Sequence, residues 1–262
     1  MGLLEKMLQA LFPEKSRCLV CGCPVESDIL CDSCMKRIGY SQGYSICYRC
    51  GRYMHEAVEG SKAAKTEYMN NKYCPECREA APEFFMARSL GPYGGDLKQV
   101  IYMYKYNGYR SLCRSLGLLM AELFINEKAF WDTSIIVPVP LSEEKMARRG
   151  FNQSELLAEQ MGRILHLPVA KCLIRTIDTP SQSKLTKKGR QDNIRGAFII
   201  NDKVLSVGLT GITRCKRYSK VLLVDDIFTT GATACECSRV LLRAGADSIG
   251  ILTLASGLQE KI

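Results

Sequence analysis

At 262 residues, with 47% hydrophobic side chains and a formal charge of +9, the chain has room for one α/β domain and a smaller module. No stretch approaches the roughly 18 consecutive apolar residues of a membrane span, and the opening MGLLEKMLQALF is too short and too charged for a secretory leader. A cytoplasmic protein is the expectation. The apolar residues at 3, 4, 7, 8, 11 and 12 mark one face of a helix, expected to pack on the protein, with a membrane surface as the alternative.

The cysteines come next along the chain and define the small module. Of the 14, nine fall between positions 18 and 77. Eight of these form C-x-x-C pairs: Cys18/Cys21, Cys31/Cys34, Cys47/Cys50 and Cys74/Cys77. A C-x-x-C turn puts two thiolates on one side of a tight knuckle, and two knuckles complete a tetrahedral four-thiolate zinc site. Two structural Zn²⁺ sites follow, and sequential pairing of the knuckles has the shorter loop closures. Disulfides need an oxidising compartment for which there is no targeting signal. Iron–sulfur ligation is the open alternative, since thiolates suit both metals. The ninth cysteine, Cys23, could compete with Cys21. A site closed by four thiolates has no open position for catalysis.

Beyond position 82 the pattern becomes α/β. A strand over 85–90 is followed by a Gly/Pro turn, then helices over 96–105 and 111–125. SIIVPVP at 134–140 reads as a buried strand stopped by prolines, and a helix over 153–165 leads to a short strand and another at 198–200. Strands alternating with helices predict a doubly wound, mostly parallel sheet. Between them, Arg148-Arg149-Gly150 offers guanidinium groups beside a glycine turn, which suits a polyphosphate. From Lys145 to Arg195 there are eleven Lys/Arg against four Asp/Glu. The polar, basic stretch 175–196 within it reads as a loop over a site, or otherwise as a solvated basic face.

The most informative stretch is VLLVDDIFTTGAT at 221–233. Val221 to Val224 suit a strand covered on both faces, and Asp225 and Asp226 stand at its carboxyl end, where open α/β sheets place ligands. Thr229, Thr230, Gly231, Ala232 and Thr233 form a small hydroxyl-rich turn into a helix over 234–244. Such a turn aims N–H groups and hydroxyls at an anion. Acids for sugar hydroxyls beside a phosphate cradle describe a ribose-phosphate ligand. Asp-Asp strands also serve P-loop nucleotide hydrolases, but no G-x-x-x-x-G-K-[ST] loop occurs here. A final strand over 248–254 closes the sheet.

The 221–233 stretch resembles the PRPP-binding motif of type I phosphoribosyltransferases. Together with the cysteine knuckles, Lys105-Tyr106, VPVP at 137–140, RGFNQ at 149–153 and the loop residues Arg175, Thr179, Gln182, Leu185, Arg190 and Asn193, it resembles the ComF family (competence protein F or GntX-like proteins) over nearly the whole chain. The resemblance implies an N-terminal helix and double zinc ribbon at 1–82 fused to a phosphoribosyltransferase-like domain at 83–262. It implies PRPP bound with Mg²⁺: the ribose on the catalytic-site acids Asp225 and Asp226, the 5′-phosphate on 229–233, and the pyrophosphate near Arg149, with Lys105 among the PRPP contacts. It further implies a role in DNA uptake and natural transformation with single-stranded DNA and a helicase. The C-terminal Leu254-Ala255-Ser256-Gly257 departs from the family pattern, which usually has a basic residue after the alanine.

Two readings remain. One is an enzyme that transfers ribose 5-phosphate from PRPP to an acceptor that no residue identifies. The other is a binding module that senses PRPP or a nucleotide while the ribbon and basic surface hold single-stranded DNA. In the second, Tyr102, Tyr104, Tyr106 and Tyr109 stack bases beside Lys105 and Arg110. Packing is the alternative role for those tyrosines.

Overall fold

The structure, a computed structural model, describes residues 16–26, 29–38, 44–55, 72–177, 194–201 and 220–258. The N-terminal helical face and the basic residues 178–193, including Thr179, Gln182, Lys184, Leu185, Lys187, Lys188, Arg190 and Asn193, lie outside them. Among the described residues no helix is long and apolar enough to cross a membrane.

The cysteine-rich part contains two small antiparallel ribbons, β1 (Ser16–Arg17) with β2 (Pro24–Val25) and β3 (Tyr44–Ile46) with β4 (Tyr53–His55). Two short helices, α1 (Asp32–Ile38) and α2 (Pro75–Glu79), begin inside C-x-x-C pairs. Pro75 opens α2 at the first turn, where its missing N–H has no helical partner to lose.

The α/β body runs β5 (Met86–Pro92), α3 (Gly95–Tyr106), α4 (Leu112–Asn126), β6 (Ile135–Pro138), α5 (Glu143–Arg149), α6 (Gln153–Leu165), β7 (Leu173–Arg175), β8 (Phe198–Ile200), β9 (Lys220–Phe228), α7 (Ala232–Arg243) and β10 (Ser248–Ser256). Four strands make a fully parallel sheet in the order β5-β10-β9-β6. The chain-final strand is therefore internal, not an edge. Strands β7 and β8 pair antiparallel as a separate ribbon.

Successive residues of β9 serve opposite faces, as a two-residue repeat requires. Leu222 and Val224 enter a core with Tyr104, Leu116, Met120, Leu157 and Met161 of α3, α4 and α6. Val221 and Leu223 enter a second core with Cys237 and Leu241 of α7 and Phe198 of β8. Burial on both faces explains why this strand is apolar at four consecutive positions. Each core also takes in part of the cysteine module: Cys18, Cys34 and Ile38 join the first, and Cys47, Cys50, Cys74 and Cys77 the second. The ribbon is thus built into the sheet's two faces.

Candidate functional site

The eight C-x-x-C cysteines gather as two tetrads, Cys18/Cys21/Cys31/Cys34 and Cys47/Cys50/Cys74/Cys77, with the four sulfur atoms of each within 4.8 Å of one another. Four thiolates converging in this way fit a tetrahedral structural zinc, and among the described residues each group contains cysteines alone. Backbone groups support the knuckles: Gly22 N–H donates to Cys18 O at 2.8 Å and Gly51 N–H to Cys47 O at 2.9 Å. Both glycines have positive φ, 73° and 64°, as these tight turns demand. Cys23 is not part of either tetrad.

The second feature is a cavity of about 210 Å³ at the carboxyl ends of β6 and β9. Its position follows from the topology. Helix α6, after β6, packs on one face of the sheet, and α7, after β9, packs on the other. A crevice opens where successive crossovers diverge. The wall carries the cations of Lys105, Lys145, Arg148, Arg149 and Arg175 against the carboxylates of Asp225 and Asp226. That excess of positive charge favours a polyanionic ligand.

Strand β9 does not stop before the acids. Its pairing with β10 continues to Phe228 opposite Ser256, so Asp225 and Asp226 sit within the strand and are fixed by its ladder. The two carboxylates have different surroundings. Asp225 Oδ1 accepts from Ser154 Oγ at 2.9 Å and from the Asp226 N–H at 2.8 Å. Burial, and then the neighbouring Asp226 charge, push its carboxyl up from 3.8 to about 7 against those two hydrogen bonds. It retains some surface at the cavity wall, although protein surrounds it. Asp226 Oδ2 forms an ion pair with Lys105 Nζ at 2.7 Å, and both side chains are mostly buried. Asp226 thus offers a cavity-facing acceptor paired with Lys105, while Asp225 is tied to α6.

Thr229, Gly231 and Thr233 line the cavity at the start of α7. Gly231 is the helix N-cap at φ 83°, a left-handed conformation, and a Cβ there would lie 2.8 Å from Phe228 Cζ. Thr230 and Ala232 shape the turn: Ala232 N–H donates to Thr230 Oγ1 at 3.4 Å, and Ala232 is buried. The turn presents the positive end of a twelve-residue helix to the cavity.

RGFNQ at 149–153 divides its work. Arg149 lines the cavity, its Nη1 donating to Gln153 Oε1 at 2.9 Å and its guanidinium lying 5.2 Å from the Tyr106 ring centroid. Gly150, at φ 73°, ends α5, and a Cβ there would meet Arg110 Nη2 at 2.9 Å. Phe151 enters the core, and Asn152 caps α6 by accepting from Ser154 N–H at 3.0 Å. Most of the motif therefore orients α5 and α6, while Arg149 and its neighbour Arg148 face the cavity.

Three contributors escape the motif reading. Lys145 stands one helical turn before Arg149 on α5, and burial followed by the facing charges of Arg175 and Arg149 holds its ammonium below the usual lysine range. Its i, i+4 spacing to Arg149 is the signal that would have found it. Ser154 immediately follows the motif and anchors Asp225. Glu236 of α7 accepts the Gly196 N–H at 2.7 Å, fixing the chain just after the basic segment.

With this geometry in place, comparison with known proteins is informative. Residues 7–78 match the family model of the double zinc ribbon domain. Competence protein F of Haemophilus influenzae is 27% identical over 245 residues, spanning 91% of this chain and 96% of that protein. The DNA utilization protein YhgH of Escherichia coli is 27% identical over 189 residues, 71% of this chain and 78% of that one. Among solved structures, an adenine phosphoribosyltransferase from Leishmania donovani matches with a TM-score of 0.34 at 12% identity, over 60% of this chain and 71% of that one. The chain is accordingly a homologue, over most of its length, of proteins named competence protein F and DNA utilization protein YhgH, and it carries a double zinc ribbon at its N-terminal side.

Proposed function

We propose that the protein binds PRPP with Mg²⁺ in the cavity at the ends of β6 and β9. The observation that carries this reading is the convergence of three chemistries on one cavity wall: two adjacent carboxylates, a Thr/Gly turn at a helix N-terminus and a surplus of cations. Asp226, supported by Asp225, takes the ribose hydroxyls. Thr229, Thr230, Gly231, Ala232 and Thr233 surround the 5′-phosphate, with their N–H groups and hydroxyls as donors. Arg149, with Arg148, Lys145 and Lys105, faces the pyrophosphate. Mg²⁺ would partly neutralise the diphosphate, and the carboxylates of Asp225 and Asp226 on the cavity wall are the hard oxygen donors that would serve it. The eight tetrad cysteines hold two structural zinc ions in a ribbon module (1–82) ahead of the phosphoribosyltransferase-like part (83–262).

The biological setting we propose is DNA uptake in a bacterial cytoplasm, alongside single-stranded DNA and a helicase, because the relatives are named for competence and DNA utilization. Tyr102 and Tyr106 support a DNA-handling surface. Both are exposed, their ring centroids are 5.1 Å apart, and Arg149 lies over Tyr106 at the cavity mouth. Stacking on such rings is tolerant of sequence. The second reading is phosphoribosyl transfer. An acceptor nucleophile would bond to the anomeric carbon as the bond to pyrophosphate breaks, the leaving group taking the electron pair. The cations around Arg149 favour it, since they stand where that negative charge would develop.

A thermal-shift titration tests the binding claim. PRPP with Mg²⁺ at about 100 times its dissociation constant stabilises a specific site by about 2.7 kcal/mol. The double variant Asp225→Ala/Asp226→Ala should lose that response while remaining folded. An equal response in the double variant refutes the assignment. Incubation with PRPP, Mg²⁺ and candidate acceptors, with and without single-stranded DNA, then separates sensing from transfer by whether pyrophosphate is released.

A further inference from the structure

We propose that Arg52, just after the Cys47/Cys50 knuckle, is a positioning residue for the phosphate turn at 229–233, so that metal filling of the second tetrad sets that turn's affinity for a 5′-phosphate. The inference rests on the ribose-phosphate reading of the cavity. Arg52 follows Cys50 by two positions and is buried, 8% exposed, far from any solvent role. Its Nη1 donates to Glu76 Oε1 at 2.6 Å, and Glu76 lies between Cys74 and Cys77. One guanidinium therefore ties together the two knuckles that supply the tetrad. Its Nη2 reaches the carbonyl oxygen of Thr229, the first residue of the phosphate turn, at 3.5 Å.

A second, independent support comes from packing. The Phe228 ring fills the space beneath Gly231 and meets Phe84 edge-on at 5.9 Å between centroids. Phe84 shares a buried cluster with Cys47, Cys50, Cys74 and Cys77. The start and the middle of the turn, Thr229 and Gly231, thus lean on the body that the second tetrad organises. That body is itself locked to the sheet. Ala87 N–H donates to Arg49 O at 2.7 Å, and Gly51 lies so close to β5 that a Cβ would come within 2.3 Å of Ala87 O.

The consequence for binding follows from the planar trans peptide. Holding the Thr229 carbonyl toward Arg52 directs the next N–H, that of Thr230, the opposite way. A phosphate cradle made of N–H groups depends on such orientations being set before the anion arrives. Loss of the guanidinium frees this peptide to rotate, and loss of the metal frees the knuckles that hold the guanidinium. The pyrophosphate side of the cavity rests on Arg148 and Arg149 of α5, whereas the guanidinium of Arg52 bonds to Glu76 and Thr229, so the two anion subsites should respond differently.

The test uses the full zinc-loaded chain and measures binding of ribose 5-phosphate and of inorganic pyrophosphate by isothermal titration calorimetry, with zinc content by elemental analysis. Wild-type protein should bind both. Arg52→Met should keep both zinc ions and its pyrophosphate affinity while binding ribose 5-phosphate about tenfold more weakly. Glu76→Gln, an isostere that weakens the hold on Arg52, should show a smaller loss in the same direction and serves if Arg52→Met does not fold. Cys47→Ser/Cys50→Ser should lose one zinc and reproduce the selective loss. Wild-type affinity for ribose 5-phosphate in these variants would overturn the proposal, as would equal weakening of both anions, which is what general loosening produces. A wild-type protein that binds neither anion removes the ribose-phosphate reading itself, and this inference with it.

Discussion

Replacing Asp225 by Asn tests the electrostatics of the cavity in the absence of any ligand. In the folded chain the Asp225 carboxyl is pushed up from 3.8 to about 7, by burial first and by the Asp226 charge second. A raised acid means that between those two values the folded protein holds a proton that the unfolded chain has released. Stability should therefore fall as pH rises from about 4 to about 7, and level off above that. The full displacement is worth at most about 4 kcal/mol. Water entering from the cavity edge screens part of it, so about 2 kcal/mol is the working figure. For a chain of this length that is roughly 4–8 °C in Tm. Asparagine keeps an oxygen to accept from Ser154 Oγ and the Asp226 N–H, and removes the charge. Melting both proteins between pH 5 and pH 8 by circular dichroism isolates residue 225 and its coupling to Asp226, because the titrations of distant groups cancel in the difference. The stability of the variant relative to the wild type should rise from pH 5 to pH 8. Parallel profiles, or a relative stability that falls from pH 5 to pH 8, would refute the reasoning.

Two further expectations follow from the tetrads and from the phosphate turn. Freshly purified protein should contain two zinc ions per chain. Because the tetrad cysteines belong to both sheet cores, stripping the metal should lower the Tm of the whole molecule, not of a detached ribbon; an unchanged main transition after chelation would contradict that. Gly231→Ala places a side chain at φ 83° and 2.8 Å from Phe228. It should cost about 1–2 kcal/mol in urea denaturation through the left-handed backbone alone and should weaken ribose 5-phosphate binding as well. Wild-type stability and binding in this variant would show that the turn is not constrained as described.

The parts of the fold legible in the sequence are those where one residue type has one physical use. Four apolar residues before Asp225 mark a strand buried on both faces, and Thr229 to Thr233 mark a helix start, because few other arrangements use small hydroxyl residues around a glycine in that way. The helix at 153–165 was readable to the residue from its apolar spacing. Less legible was where β9 ends. The Thr/Gly turn and the acids suggested a strand finishing at Val224, but β10 is nine residues long and its ladder carries β9 on to Phe228. Strand length here is decided by the partner, which local sequence does not contain. The same holds for the order of the sheet. Nothing in Ser248–Ser256 says that it inserts between β5 and β9, and nothing in Phe198–Ile200 says that it pairs with β7 outside the main sheet.

RGFNQ shows how one motif can mark a site while most of its residues position the helices around it. Guanidinium groups beside glycine suggest anion binding, and Arg148 and Arg149 do line the cavity. Yet the same five residues contain a helix stop at Gly150 and a helix cap at Asn152, functions that asparagine and glycine perform throughout proteins. Their chemistry is positional: they set the angle between α5 and α6, and that angle brings Arg149 of one helix and Ser154 of the other to the same cavity. Arg52 is the extreme case. In sequence it is a charged residue after a cysteine knuckle, 177 positions before Thr229, and only the folding of the ribbon onto β5 brings its guanidinium to the turn at 229–233. Separate sequence signals locate the cysteine module and the ribose-phosphate motif, whereas the dependence of one on the other resides in contacts between them.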